Sequence, residues 1–357
     1  MSSLTDTALT TKKFLLGAAI FTIGAIILWT VFGLGRQLYR AINPPPPPAF
    51  EVKFGKIAPI QFSVSEEATT SAAFTYQLDT VDGKTPNLGD RAKVFPIVRP
   101  LPSLLAVERA SEKLNRTGFK NPPTAINDRI YLYTDPEDNK RTIKYDVVSN
   151  QFNLSYNFVG DAEFLQKGQN FSTEEATRIA RSLLSSLQVF EKDLEKGEIK
   201  TSLYKIEGDK ISPALSLSEA DFIRVNFYRE QLDEKIPLIS DSFDKAPVSI
   251  LVSSLSNLKK QIVQVDYNYL LIDRDTGSTY PIKTSTKAYQ ELEQGFGFVI
   301  NKSRLGGVTI RNITLGYLDP RILQDYIQPV YVFEGDNNFL AVVPAVDGMW
   351  IKSDNSQ

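Results

Sequence analysis

An uncharged apolar run near the start constrains this chain more than any other feature. From Phe14 to Leu34 it reads FLLGAAIFTIGAIILWTVFGL, 21 residues without a charge. At about 1.5 Å per helical residue, such a run covers the roughly 30 Å hydrocarbon core of a bilayer. It is longer than the roughly 7–15 apolar residues of a signal-peptide core. No small-residue cleavage site follows it; Gly35, Arg36, Gln37 and Arg40 come next. The run therefore reads as a retained anchor, and with no cysteine to acylate a lipoprotein anchor is excluded. Asn43 then leads into Pro44 to Pro48. Prolines cannot continue a helix and form a stiff extended spacer of about 3 Å per residue. The expected order is a short tail over residues 1–13, a transmembrane helix over 14–34, a proline-rich stalk over 35–49, and a body beyond.

The bilayer is thus the first expected partner, through Phe14 to Leu34. Lys12 and Lys13 before the run balance Arg36 and Arg40 after it, so flanking charge does not set the orientation. The short tail and the stalk place the body outside the cytoplasm. Gly17 with Ala18, and Gly24 with Ala25, put small residues on one helix face. That pattern is compatible with self-association and equally with the ordinary abundance of small residues in membrane helices.

The body is long enough for two or more domains. The chain carries 40 basic and 42 acidic residues without a basic block, which argues against a nucleic-acid partner. Absent cysteine rules out disulfides, thiolate metal sites and cysteine nucleophiles. Absent histidine removes the usual general base and metal ligand, and with it Ser-His-Asp and Cys-His catalysis. The expectation is a non-enzyme without a cofactor.

Residues 50–102 read as β-rich and irregular, with short alternating segments between Asp-Gly and Pro signals. A helix is expected from Ser103 as N-cap, with Leu104, Val107 or Ala110, and Leu114 on one face and Gly118 closing it. RIYLYT and RTIKYDVV flank the turn DPEDNK, and QFNLSYNF follows. The pattern then restarts. Ser172 and Glu175 form a capping box for a helix whose stripe is Ala176, Ile179, Ala180, Leu183, Leu184 and Leu187. The strands DFIRVNFYRE, QIVQVDYNYLLID and STYPI come after it. A third helix starts near Ser285 or Thr286 and leads into VTIRNITLGYLD, PVYVFEG and FLAVVPAV. One supersecondary unit recurring three times predicts an α+β body with units over 103–160, 161–284 and 285–352.

These residues carry a resemblance. The capped STEEATRIARSLL helix followed by meandering strands is similar to the PepSY-like fold. KAYQELEQG, VTIRNITLGYLD and IQPVYVFEGDNNFLAVVPAV resemble the YycH/YycI family of extracytoplasmic regulators, with Gly295, Leu315, Tyr317, Pro329, Val330, Tyr331 and Phe333 at the matching anchors. The whole chain also resembles an uncharacterised bacterial membrane-anchored family. The resemblance implies an anchored regulator that touches a membrane-bound sensor kinase and has no catalytic residues. The proline stalk and the N-terminal strands depart from the family pattern.

Other candidates compete with plainer readings. Asp275-Thr276-Gly277 spells the aspartic-protease triplet, which in one copy works only as a homodimer. Asp273 and Arg274 precede it, as suits an exposed turn. Asp273, Asp275 and Gly277 fail the EF-hand order because Gly277 stands at position 5. Asp135-Pro136-Glu137-Asp138 reads as a solvated hairpin tip instead of a cation site. Tyr267 with Tyr269, and Tyr331 with Phe333, share strand faces, where they pack under a helix or form a binding platform. Tyr317, Tyr331 and Phe333 are the partner-binding candidates. The functional expectation is an anchored interaction or regulatory module that binds an envelope or membrane protein. The alternatives are an envelope assembly subunit and an Asp275-dependent hydrolase.

Overall fold

A proline is the first residue that must end the N-terminal helix, and the helix extends almost to it. In the computed structural model, which describes residues 4–42, 49–62, 69–71, 74–101, 103–165, 171–233, 236–302 and 306–353, helix α1 spans Leu4–Ile42. It outruns the expected 14–34 at both ends, since nothing before Asn43 breaks it. Its segment Leu15–Tyr39, 25 residues, is long and apolar enough to cross a membrane. Large side chains such as Phe21, Leu28 and Trp29 stand exposed along it. Pro44 to Pro48 lie outside the described residues. Residues 1–49 and the body, Phe50–Gln357, are separate compact units.

The body is α+β. Its helices are α2 (Ala106–Asn115), α3 (Ala162–Leu165), α4 (Thr173–Ser186), α5 (Lys192–Lys196), α6 (Leu258–Gln261) and α7 (Ser285–Glu293). Its first strands are β1 (Thr69–Thr70), β2 (Thr75–Leu78), β3 (Arg91–Pro96), β4 (Thr124–Ala125), β5 (Ile130–Thr134), β6 (Arg141–Asp146) and β7 (Phe152–Tyr156). Then come β8 (Ile199–Glu207), β9 (Lys210–Pro213), β10 (Phe222–Phe227), β11 (Leu238–Ser240), β12 (Val248–Ser253), β13 (Ile262–Tyr267) and β14 (Ser278–Pro281). The last are β15 (Phe298–Asn301), β16 (Gly307–Asp319), β17 (Tyr326–Ile327), β18 (Pro329–Gly335) and β19 (Phe339–Pro344).

The strands following α2 and those following α4 merge into one nine-stranded antiparallel sheet, ordered β4-β5-β6-β7-β13-β12-β10-β8-β9. The seam is the pairing of β7 with β13. Both helices lie on the same face. Ala110 and Leu114 of α2, with Ala176, Ala180 and Leu184 of α4, share a core with Tyr145, Phe152, Val225, Ile250 and Val265. The other face buries a smaller cluster around Tyr156, Phe164, Phe222 and Leu251. Covered on both sides, β10 and β12 are buried along their whole length.

The cap of α4 is as expected: Ser172 Oγ accepts from the Glu175 amide. The start of α2 is not. The helix begins at Ala106, Leu105 is its N-cap without a side-chain bond, and Ser103 Oγ accepts only from the Leu105 amide. Leu104, expected in the core, is fully exposed. α7 starts at Ser285 behind the cap of Thr284, and Gly295 beyond its end adopts φ +92°, the left-handed backbone that favours glycine.

The C-terminal sheet runs β1-β15-β19-β18-β16-β11, with β2 also on β16. The long β16 faces β18 on one edge; on the other it pairs in parallel with β2 at Gly307–Ile310 and with β11 at Tyr317–Asp319. Ala288 and Leu292 of α7 pack on one face, and Ile60, Phe62 and Ile239 cover the other. A third, small sheet is ordered β14-β3-β17, and Phe95 of β3 packs with Leu270 and Ile272 after β13 and with Tyr317 of β16.

Candidate functional site

The three aromatic candidates for partner binding are core residues. Tyr317, Tyr331 and Phe333 are all fully buried. Tyr331 and Phe333 sit under α7, with the Tyr331 hydroxyl donating to the Lys283 carbonyl. Tyr317 meets Phe95 edge-on at 5.5 Å. The surface-platform expectation is corrected: alternation put the pairs on one face, and that face is the one the helix covers. Asp275 is exposed in a turn organised by its neighbour, because Asp273 Oδ1 accepts from the amides of Asp275 and Thr276. The acidic hairpin tip also differs from its solvated reading. Asp135 is buried, 3.1 Å from Arg141 and 3.0 Å from Lys259. Among the described residues no group of three or more carboxylates is arranged to hold a metal.

Where the large sheets meet, charge is buried. Arg229, next to β10, places Nε 2.8 Å from Asp319 at the end of β16 and Nη1 3.5 Å from Asp193 of α5. Nη1 also donates to the Leu270 carbonyl at 2.9 Å, and the guanidinium lies over Tyr269 at 4.6 Å. Tyr269 donates to Asp193. Burial pushes the Asp319 carboxyl above its ordinary range, and Arg229 opposes this. Arg229 Nη2 and Asp319 Oδ1 have no hydrogen-bond partner. The Arg229–Asp319 pair is buried, while Asp193 at its edge is partly exposed and also meets Arg274, so the pair serves to lock one sheet to the other.

The open feature lies along α2. A cavity of about 370 Å³ is bounded by Pro100, Leu101, Arg109, Lys113, Arg116 and Tyr145, among others. A second, of about 240 Å³, is bounded by Val189, Glu191, Tyr269 and Leu271. They share Pro100, Lys113, Asn150 and Gln188 and so form one cleft. Its walls come from residues distant in sequence: the segment before α2, the β6–β7 turn, the end of α4 and the stretch after β13. Leu101, Ser103 and Ala106 line the first cavity, and Leu104 and Leu105 between them in sequence are exposed, Leu104 wholly, as an apolar edge beside it.

The cleft is net basic, with Arg109, Lys113 and Arg116 against Glu112 and Glu191 on its walls. Arg109, Lys113 and Arg116 make no ion pair within 4 Å among the described residues, whereas Lys196 and Lys200 in a neighbouring groove of about 600 Å³ each hold a glutamate. Burial pushes the Lys113 ammonium below its ordinary value, with Glu191 pulling it back. Gln188 and Asn150 both adopt left-handed backbone, φ 55° and 59°. Asn150 is an ordinary turn residue there. Gln188 follows the C-cap of α4, where glycine is the unstrained choice. A sequence signal for the site does exist: basic residues at 109, 113 and 116 fall at helical spacing beside an apolar rim. Taking Leu104 as core concealed it.

No known protein-family profile matches the chain, and no curated protein matches it. Among solved structures it is similar to an uncharacterized protein from Eubacterium rectale, at a TM-score of 0.38 and 15% identity, covering 73% of this chain and 85% of that one. It is also similar to the YpeB C-terminal domain of Bacillus megaterium, at a TM-score of 0.28 and 14% identity, covering 70% and 96%. At these scores neither likeness carries a fold or a role over to this chain, and neither names the YycH/YycI family.

Proposed function

We propose that this protein is a bilayer-tethered, non-enzymatic binding module: α1 crosses the membrane, and the body lies outside the cytoplasm and docks another membrane or envelope protein. The observation that carries the reading is the cleft beside α2, a concave surface with an apolar rim and three cations that make no ion pair within 4 Å among the described residues. Such a surface is suited to recognition, since the half-buried ammonium of Lys113 is costly unless a ligand meets it, with the exposed Arg109 and Arg116 beside it. The resemblance of the C-terminal third to YycH/YycI regulators supports the same reading, with a partner held in the same membrane. The absence of histidine and the exposed setting of Asp275 favour binding over hydrolysis.

The test is lysine-reactive crosslinking of the full chain in cells, with protease shaving from outside to fix the side of the body. The reading expects the body to be shaved and one membrane or envelope protein to be captured through Lys113. A protected body, or partner crosslinks confined to Lys205 and Lys210 at the distant sheet edge, contradicts it.

A further inference from the structure

We infer that the cleft beside α2 receives an extended acidic segment of a protein partner, its carboxylates facing Arg109, Lys113 and Arg116 and its apolar side chains facing Leu101 and Leu105. The inference rests on the binding-module reading and narrows it to a partner class. Charge selects that class: the cleft holds three cations against two carboxylates, Glu112 and, at its second cavity, Glu191, so the excess of positive charge lies in the first cavity, where Glu112 is the one carboxylate. The helix dipole favours cations near a C-terminus and so accounts for Lys113 and Arg116. It does not account for Arg109, which sits near the start of α2, where the dipole disfavours a cation. Nor does it account for Lys113 being half withdrawn from water without a counter-ion within 4 Å.

Spacing selects an extended chain. Arg109 and Lys113 are four residues apart on the helix, about 6 Å along its axis. That matches alternate residues of a strand, at roughly 3.3 Å each. Carboxylates at every second position meet α2, and the residues between them turn toward the apolar rim. The walls also carry amides able to hold a peptide. Asn150 lines both cavities and its Oδ1 accepts from the Tyr145 hydroxyl at 3.0 Å, which leaves its Nδ2 donor for a ligand. Gln188 lines both cavities from a backbone that glycine would adopt without strain. A bilayer surface would meet Leu101 and Leu104 but could not enter the concave site around Lys113.

The experiment is panning of a phage-displayed random peptide library on the full chain in detergent, counter-selected on an Arg109→Glu/Lys113→Glu variant. Enriched sequences should carry aspartate or glutamate at alternate positions with leucine, valine or aromatic residues between. A synthetic winner should lose about tenfold or more in affinity to the variant, the fold-change expected for losing charge-assisted contacts. Its amide counterpart should lose as much on the unaltered protein, and added salt should weaken binding. Circular dichroism of the variant keeps misfolding apart from lost recognition. Winners without acidic enrichment, or winners bound equally by the variant, overturn the inference. So does failure to enrich any peptide while phosphatidylglycerol vesicles bind through Leu104, which would make this a lipid-facing patch. If the in-cell partner photo-crosslinked from a photoreactive residue at Leu104 is still captured by the charge-reversed variant, the acidic-segment inference fails alone and the binding-module reading stands.

Discussion

Replacing Arg229 with methionine should destabilise the body more than any surface change, because it strands a buried carboxylate. Asp319 is 3% exposed and has Arg229 Nε at 2.8 Å as its close cation. Removing one partner of a buried pair costs about 3–5 kcal/mol. The Leu270 carbonyl also loses its donor, about 1–3 kcal/mol if left dry, although such terms overlap and do not simply add. A net loss of about 4 kcal/mol is about a quarter or more of the ~5–15 kcal/mol of a typical domain. The effect should depend on pH. Without Arg229 the folded pKa of Asp319 rises further above its unfolded value near 4, so the folded state holds the proton more tightly. The deficit is then smallest below the folded pKa of Asp319 in the unaltered protein and grows above it by up to about 1.4 kcal/mol per unit until the higher folded pKa of the variant is passed. Urea titrations of the full chain in detergent, followed by circular dichroism, measure it. Arg229→Met/Asp319→Leu should recover most of the loss. A deficit below about 1 kcal/mol at neutral pH, unchanged at pH 5, refutes the claim that the carboxylate is dry and dependent on Arg229.

Gln188→Gly relieves a left-handed backbone and should stabilise the body by about 0.5–1 kcal/mol while weakening partner capture; a stabilised protein with full capture would leave the Gln188 amide without a role. Leu184 is wholly buried between α4 and the nine-stranded sheet, so Leu184→Ala should cost about 2–5 kcal/mol in urea unfolding. A loss under 1 kcal/mol would place the helix off that sheet. Burial pushes the Asp161 carboxyl up, but Lys260 and Tyr156, each 2.7 Å away, and the Glu163 amide outweigh it and bring it to about 2. Its stabilisation is then complete above the ordinary carboxylate range and lost as pH falls from about 4 to about 2. A carboxyl resonance of Asp161 that titrates near 4 in NMR contradicts this.

What the sequence disclosed was local. The Ser172 cap, the stripe of Ala176, Ala180 and Leu184, and the hairpin of β5 and β6 around its turn each depend on neighbours within a few residues. The bilayer-length helix is legible because nothing before Pro44 can stop it. What stayed hidden depends on pairing between distant segments. No periodicity states that β7 joins β13 and fuses two sets of strands into one sheet, or that β2 and β11 share an edge of β16. β12 goes unread, since continuous burial erases the alternation that marks a strand. The aromatics of β18 were assigned to the right face, but only the position of α7 decides that the face is inside. Asp135 reads as hairpin-tip polarity until Arg141 and Lys259 are seen closing over it. The cleft joins Pro100, Lys113, Asn150, Gln188 and Leu271, and no local pattern links them.

The most direct test of the account is photo-crosslinking in intact cells from two positions of the full-length chain. A photoreactive residue at Leu104 stands on the rim of the cleft; one at Leu215, equally exposed, follows β9 at the far edge of the nine-stranded sheet. The account predicts a discrete adduct with one membrane or envelope protein from Leu104, reduced by Arg109→Glu/Lys113→Glu, and none from Leu215. The same adduct from Leu215 alone, or only lipid adducts from Leu104, would contradict it.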